Sequence, residues 1–277
     1  MNGPSPASSP DAALHALTRQ AEGLWQAVYP LWPDFSVEVL PSIDSTNTAL
    51  MQRPRAGDRS PTLLVALEQS AGRGRRGKSW HSRPGASLTF SLGLPYQPAD
   101  WSGLSLAVGV SLAESLHPEV RLKWPNDLWL QGRKLGGILV EVAVSGDRRH
   151  AVIGVGLNVE LPELLPAPPG VDEAAVVALP PVPPAALQEL EPGRDAGEWL
   201  AVVVPALARD LQQFEQGGFA AFAARFAARD ALAGLELRLS DGLQGVGAGV
   251  GPDGALRLRT VNGLVDVTSA EVSVRPR

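Results

Sequence analysis

Five basic residues crowd into eleven positions of this sequence: Arg73, Arg75, Arg76, Lys78 and Arg83, with no acid between them. Gly72, Gly74 and Gly77 run through the same stretch. Glycine lets a backbone approach an anion closely, and guanidinium forks grip phosphate or carboxylate with two parallel hydrogen bonds. In a 277-residue chain of net charge −5 this is a local positive pole. Taken alone, the loop also reads as a solvated basic loop or as a nucleic-acid patch, the latter thinly supported by the single Trp80. Written G-x-G-x-x-G after an apolar run, it matches a dinucleotide fingerprint. That fingerprint needs an apolar helix to start at its third glycine. The chain instead continues KSWHSRPG, polar and broken by Pro84-Gly85, so a Rossmann site is set aside.

Only three of 24 basic residues are lysine: Lys78, Lys123 and Lys134, all in the central stretch. A lysine is a compact point charge on a flexible stem. Lys123 opens Lys123-Trp124-Pro125-Asn126-Asp127, and Lys134 opens Lys134-Leu135-Gly136-Gly137-Ile138. Pro125 belongs at a strand end, which leaves Asn126 and Asp127 at a turn. A hairpin through Gln131-Gly132 would bring both lysines to one side of a sheet. A structural turn with surface lysines accounts for the first motif, but less well for adjacent glycines in an apolar strand, unless something approaches their backbone. Asp44-Ser45-Thr46-Asn47-Thr48 reads by itself as a helix N-cap. Gly154-Val155-Gly156-Leu157-Asn158-Val159 reads as a glycine-spaced buried strand. His15, His81, His117 and His150 are scattered without metal-ligand spacing, so no metal ligand is assigned. Walker, nucleophile-elbow and zincin motifs do not occur.

Composition narrows the class. At 44% hydrophobic and 19% charged, with mean hydropathy +0.02, the chain can fill a core. The acidic pI of about 5.4 argues against nonspecific nucleic-acid coating. Cysteine is absent, which removes disulfides and thiolate chemistry and suits a reducing cytoplasm. No apolar run is long enough to span a membrane, and the first residues lack the pattern of a signal peptide. A cytoplasmic protein is expected.

The elements that must position these residues follow from periodicity. Residues 1–10 are Ser/Pro-rich and expected to be disordered. An amphipathic helix is expected from Asp11 to Tyr29 and a strand from Phe35 to Leu40. One helix, a turn and a strand before Ile43 leave no room for a helix-turn-helix DNA-binding domain. Further strands are expected at Thr62–Leu67, Ser87–Leu94, Val120–Trp124, Asp127–Leu130, Gly136–Ala143 and Ala151–Val159, with a helix at Leu104–Leu116. Residues 162–192, with nine prolines, read as a long surface connection. A helical block follows from Ala196 to Asp230, broken at Gly217-Gly218. From Gly234 the chain turns to short alternating strands between Gly-rich turns, read as a small SH3-like β-barrel packed on the main domain. The class is α+β: a mixed β-sheet flanked by helices, with a domain at 11–232 and the barrel at 233–277.

Taken in order, DSTN (44–47), EQSAGRGRRG (68–77), KWPND (123–127), RKLGGILVE (133–141) and IGVGLNV (153–159) resemble the biotin protein ligases. The resemblance is close over about Ser42–Val159 and loose over the C-terminal barrel. It implies a class II synthetase-like catalytic domain in the short form that lacks a DNA-binding domain. It also implies a two-step reaction: biotin and ATP give biotinoyl-5′-AMP, then biotin passes to a lysine of a biotin carboxyl carrier domain, usually that of acetyl-CoA carboxylase. Mg²⁺ is expected with the nucleotide. No repressor activity, DNA partner or membrane is expected, and exposed sheet edges leave room for a homodimer.

By position, the resemblance puts Ser45, Thr46, Asn47 and Gln69 at the biotin end. Arg73, Gly74 and Arg75 form the adenylate loop, and Lys134 and Arg73 are the catalytic charges. Gly136 and Gly137 give bare backbone along the ligand. Arg75, Arg76, Trp80, Lys123 and Asn158 face the nucleotide, with Asn158 on adenine, and Asn126 and Asp127 lie by its phosphates or by the incoming acceptor lysine. A lipoate or octanoate ligase or transferase is the nearest rival, which KWPND with GRGRRG disfavours. A ligand sensor is the rival of another class, disfavoured by so much converging positive charge.

Overall fold

A computed structural model describes residues 9–162 and 184–268, together with the backbone of 274–276. The order is α1 (Pro10–Val28), β1 (Ser36–Ile43), α2 (Thr46–Gln52), β2 (Thr62–Gln69), β3 (Ser87–Pro95), α3 (Leu104–Leu116), β4 (Arg121–Lys123), β5 (Asp127–Leu130), β6 (Arg133–Ser145) and β7 (Arg148–Asn158). After residues 163–183 come α4 (Ala196–Gly217), α5 (Ala223–Ala227), β8 (Glu236–Leu239), β9 (Gln244–Val250), β10 (Leu256–Thr260), β11 (Gly263–Val267) and β12 (Val274–Pro276).

The first sheet has seven strands in the order β1-β2-β3-β7-β6-β5-β4. β1 and β2 are parallel and every other pair is antiparallel, so the sheet is mixed, as expected. α1, α3 and α4 layer over one face and build the core with Phe90, Ile153 and Ile138. α2 packs on the other face through Leu50, over Leu64 and Val152. The loop 70–86 lies on that second face too. The Gln131-Gly132 hairpin forms, with both residues at positive φ, the conformation that a two-residue turn between twisted strands demands.

Three expectations change. The helix begins one residue early, at Pro10: Ser9 caps it by accepting from the Ala12 N–H, and proline suits a first helical position, whose N–H needs no partner. Ser9 and Pro10 are thus ordered, and residues 1–8 lie outside the described residues. The end of the proline-rich connection is not a surface segment, for Ala185, Ala186 and Leu187 are fully buried. Its backbone is held: Ala185 N–H donates to the Lys134 carbonyl at 2.8 Å, and Gln188 N–H to the Val159 carbonyl at 3.0 Å. The rest of that connection, 163–183, lies outside the described residues. After Gly217-Gly218 the expected second helix is only five residues long, preceded by a 3-10 turn at Gly218–Ala221.

The C-terminal sheet is five-stranded, β11-β10-β9-β8-β12, and antiparallel. Its Leu237, Leu239, Leu256 and Leu258 join the same core as the first sheet, so it packs on the main domain as expected. A sheet this small buries too little apolar surface to stand alone.

Candidate active site

Sheet register lines up one row of residues across four strand pairs on the α2 face: Thr89, Gly156, Gly137, Asp127 and Lys123. The row beside it runs Leu64, Ser91, Gly154 and Leu139. The first row, with Gly154 and Leu139 of the second, floors a cavity of about 300 Å³. Two glycines keep the floor low. A methyl group on Gly154 would overlap Asn47 Oδ1, and one on Gly156 would overlap the Trp80 indole. Asn47 and Trp80 therefore lie directly on β7, at two ends of the cavity.

At the Asn47 end the groups are small, polar and buried. Ser45 caps α2, accepting from the Thr48 N–H. Thr46 donates to Gln69 Oε1 from its N–H at 2.7 Å and from its hydroxyl at 3.0 Å. The single hydroxyl hydrogen of Ser91 serves Thr46 Oγ1 at 2.7 Å and Asn47 Oδ1 at 2.6 Å, both as acceptors. Asn47 Nδ2 donates to Glu141 Oε2 at 3.0 Å and to the Leu139 carbonyl at 3.3 Å. Such a network fixes each rotamer before a ligand arrives.

The other end is cationic. Gly74 N–H donates to the Lys78 carbonyl and Trp80 N–H to the Gly72 carbonyl, so the Arg loop folds into a hairpin rather than a helix. Arg76 turns it with φ of 58°. Arg75 reaches Asn126 Oδ1 at 3.3 Å. Burial pushes the Arg75 guanidinium below its usual range; Asp127 opposes that shift and Arg76 adds to it. Asn126 is held in turn by donating to the Ile138 carbonyl at 2.8 Å.

One carboxylate serves two lysines. Asp127 Oδ1 lies 2.8 Å from Lys134 Nζ, and Oδ2 lies 3.7 Å from Lys123 Nζ. Lys123 is 8% exposed and also stands over the Trp129 ring at 5.3 Å. Lys134 reaches the row because of a bulge. Register slips between Leu128 and Trp129, so that Leu135 is an extra residue in β6. Without it, Lys134 and Gly137 would face opposite ways, since strand side chains alternate. With it, Lys134 Nζ lies over Gly137.

Ser45, Thr46, Asn47, Gln69, Arg73, Gly74, Arg75, Arg76, Trp80, Lys123, Asn126, Asp127, Lys134 and Gly137 all line the cavity. Two expected residues do not. Gly136 belongs to the opposite phase of β6, where a side chain would strike Gly156 and Leu157. Asn158 lies at the end of β7 and spends its amide N–H groups on the Ala185 carbonyl at 2.9 Å and the Lys134 carbonyl at 3.3 Å. It ties down the returning 184–189 segment and the backbone of Lys134. Sequence reasoning missed Ser91 and Glu141 as site residues. Ser91 falls on the polar phase of an alternating strand, and Glu141 closes the RKLGGILVE motif; those were the available signals.

Residues 39–158 match the biotin/lipoate A/B protein ligase family. The chain is 37% identical over 251 residues to the bifunctional ligase/repressor BirA of Escherichia coli, covering 87% of this chain and 74% of that protein. It is 34% identical over 248 residues to the biotin–[acetyl-CoA-carboxylase] ligase of Paracoccus denitrificans, covering 84% of this chain and 98% of that one. The chain belongs to the biotin protein ligase family. A solved biotin protein ligase from Aquifex aeolicus, in complex with biotin and ATP, superposes with TM-score 0.71 at 28% identity, covering 87% of this chain and 99% of that one. The family match includes every cavity-lining residue, because the lining runs from Ser45 to Gly156. Among the described residues no helix is long and apolar enough to cross a membrane.

Proposed function

We propose that this chain is a cytoplasmic biotin–[acetyl-CoA-carboxylase] ligase: it joins biotin to AMP and then passes biotin to a lysine of a carrier domain. The observation that carries this is the division of one cavity into two chemically opposite ends. The Ser45–Thr46–Asn47–Gln69 end offers neutral donors and acceptors for a ureido ring. The Arg75–Lys123–Lys134 end offers converging positive charge for two anions, with Arg73 on the loop beside it.

In the first step a biotin carboxylate oxygen attacks the α-phosphorus of ATP, and the bond to pyrophosphate breaks. Two anions must meet, so fixed cations are what the step requires. Lys134 is the best placed, held over bare Gly137 by Asp127. Asp127 aims both lysines. Trp80, packed against Gly156, offers an aromatic ring for adenine. Asn158 acts at one remove, holding the Lys134 carbonyl and the Ala185 carbonyl with its amide N–H groups. In the second step the carrier amine attacks the acyl carbon, AMP leaves with the bonding pair, and the amine gives up a proton.

Magnesium enters as the nucleotide's own ion. Among the described residues no three His, Asp or Glu side chains converge, and Asp127 is committed to two lysines, so the donor set does not build a protein cage. The ion's charge would add to that of Lys123 on the triphosphate. The Escherichia coli relative is named a ligase and repressor; the proposal covers the ligase reaction alone.

The test is mass spectrometry of the protein with Mg-ATP and either biotin or lipoate. Biotinoyl-AMP from biotin alone supports the reading; lipoyl-AMP, or neither product, overturns it. Lys134→Ala should cut adenylate formation by about 10²–10³-fold, the usual loss on removing one group aimed at developing charge. Its fold should persist, because Lys134 packs little apolar surface.

A further inference from the structure

We propose that Glu141 is the resident counter-ion of Arg73, holding its guanidinium outside the cavity until a substrate anion displaces it. This rests on the ligase reading for the identity of the anions. Arg73 Nη2 lies 3.1 Å from Glu141 Oε1, and Arg73 Nη1 lies 3.4 Å from Oε2. Arg73 lines both the cavity and a neighbouring groove of about 650 Å³, whereas Glu141 lines only the groove. The pair thus draws the guanidinium to the groove side of the loop. Its side chain is half exposed, so the pair is weak and exchangeable.

Glu141 has a second partner, in the neutral end of the cavity. The same Oε2 accepts from Asn47 Nδ2 at 3.0 Å. One carboxylate therefore orients a neutral amide for the uncharged end and neutralises a cation for the anionic end. When phosphate or carboxylate takes Arg73, Glu141 keeps its bond to Asn47, so the neutral end stays ordered while the loop moves. Glu141 is a positioning residue on this account, acting through Arg73 and Asn47.

Glu141→Gln separates the two roles. Glutamine can still accept from Asn47 but cannot neutralise Arg73; Glu141→Ala removes both. The loop carries several trypsin sites, so ligand-free protein reports directly on the latch. For Glu141→Gln we expect loop cleavage about threefold faster and inorganic pyrophosphate bound about threefold tighter, the scale of an exposed ion pair, with no loss of biotin affinity by calorimetry, since the biotin carboxylate too can take the freed Arg73. Glu141→Ala should show both changes and lose biotin affinity as well. Wild-type protein in 0.5 M salt should approach the variant's cleavage rate, because a half-exposed pair is screened; a free peptide of the loop sequence controls for the protease. Unchanged cleavage and pyrophosphate affinity in Glu141→Gln, or loss of biotin equal to that of Glu141→Ala, would overturn the proposal. Wild-type protein that binds no biotin would instead refute the ligase reading, leaving the cleavage and pyrophosphate results to decide on the latch.

Discussion

The indole N–H of Trp124 donates to the carbonyl of Gly254 at 3.0 Å, joining the KWPND turn of the first sheet to the β9–β10 turn of the second. Trp124 is 1% exposed, so the bond is made in a dry setting. Its neighbour Leu122 is gripped as well. Leu122 N–H donates to the Arg229 carbonyl at 2.8 Å, and Ala231 N–H donates to the Leu122 carbonyl at 2.9 Å. Lys123 lies between these two anchor points.

Trp124→Phe keeps an aromatic ring, smaller than the indole, and leaves the Gly254 carbonyl unpartnered. An unsatisfied buried acceptor costs about 1–3 kcal/mol, and urea unfolding should show a loss on that scale. With Lys123 less firmly held, KM for ATP should rise severalfold while KM for biotin stays the same. Equal changes in both would place the effect on the whole site.

The two floor glycines should give opposite phenotypes. Gly154→Ala pushes a methyl into Asn47, and Gly156→Ala pushes one into Trp80. Overpacking of this kind costs about 1–3 kcal/mol. The first variant should lose biotin affinity by about tenfold or more and keep nucleotide affinity. The second should do the reverse. Calorimetry with each ligand checks both.

His150 gives a prediction for acid stability. It is 4% exposed with Nδ1 unpartnered, and burial pushes its pKa down to about 4; Asp58 opposes this and Arg59 adds to it. The unfolded chain takes up this proton near pH 6.5, the folded one only near pH 4. The stabilisation is therefore whole above about pH 6.5 and is lost as the pH falls toward 4. Between pH 7 and pH 5 the wild type should lose about 2 kcal/mol more than His150→Leu, measured by urea titration. Parallel losses would remove His150 from the account.

Much of the site was legible in the sequence because its residues sit in short motifs whose types state their chemistry. The Arg loop, the three lysines and the Ser45–Asn47 part of DSTN all reach one cavity. The helix at 104–116 and the Gln131-Gly132 hairpin were legible because periodicity and turn residues are local signals. What stayed hidden is what register decides. A bulge at Leu135 puts Lys134 beside Gly137 and turns Gly136 away, and no local pattern in RKLGG announces an extra residue. Ser91 was hidden because β3 is buried on both faces, so its polar phase does not mark solvent. The burial of Ala185–Leu187 was masked by the prolines around it, which resemble a surface linker in composition.

The chain leaves β7 through Val159 and returns through Gln188, and one backbone hydrogen bond joins the two. Arg133 secures the return by pairing both its terminal nitrogens with Glu189. The departure and return points thus form a closed base that does not depend on the length of chain between them. Loop-closure entropy grows only logarithmically with length, so doubling that span costs about 0.6 kcal/mol. Because this base is closed by its own hydrogen bonds, the buried Ala185–Leu187 segment stays docked beside β7 with its hold on the Lys134 carbonyl, whatever the number of residues that precede Pro184.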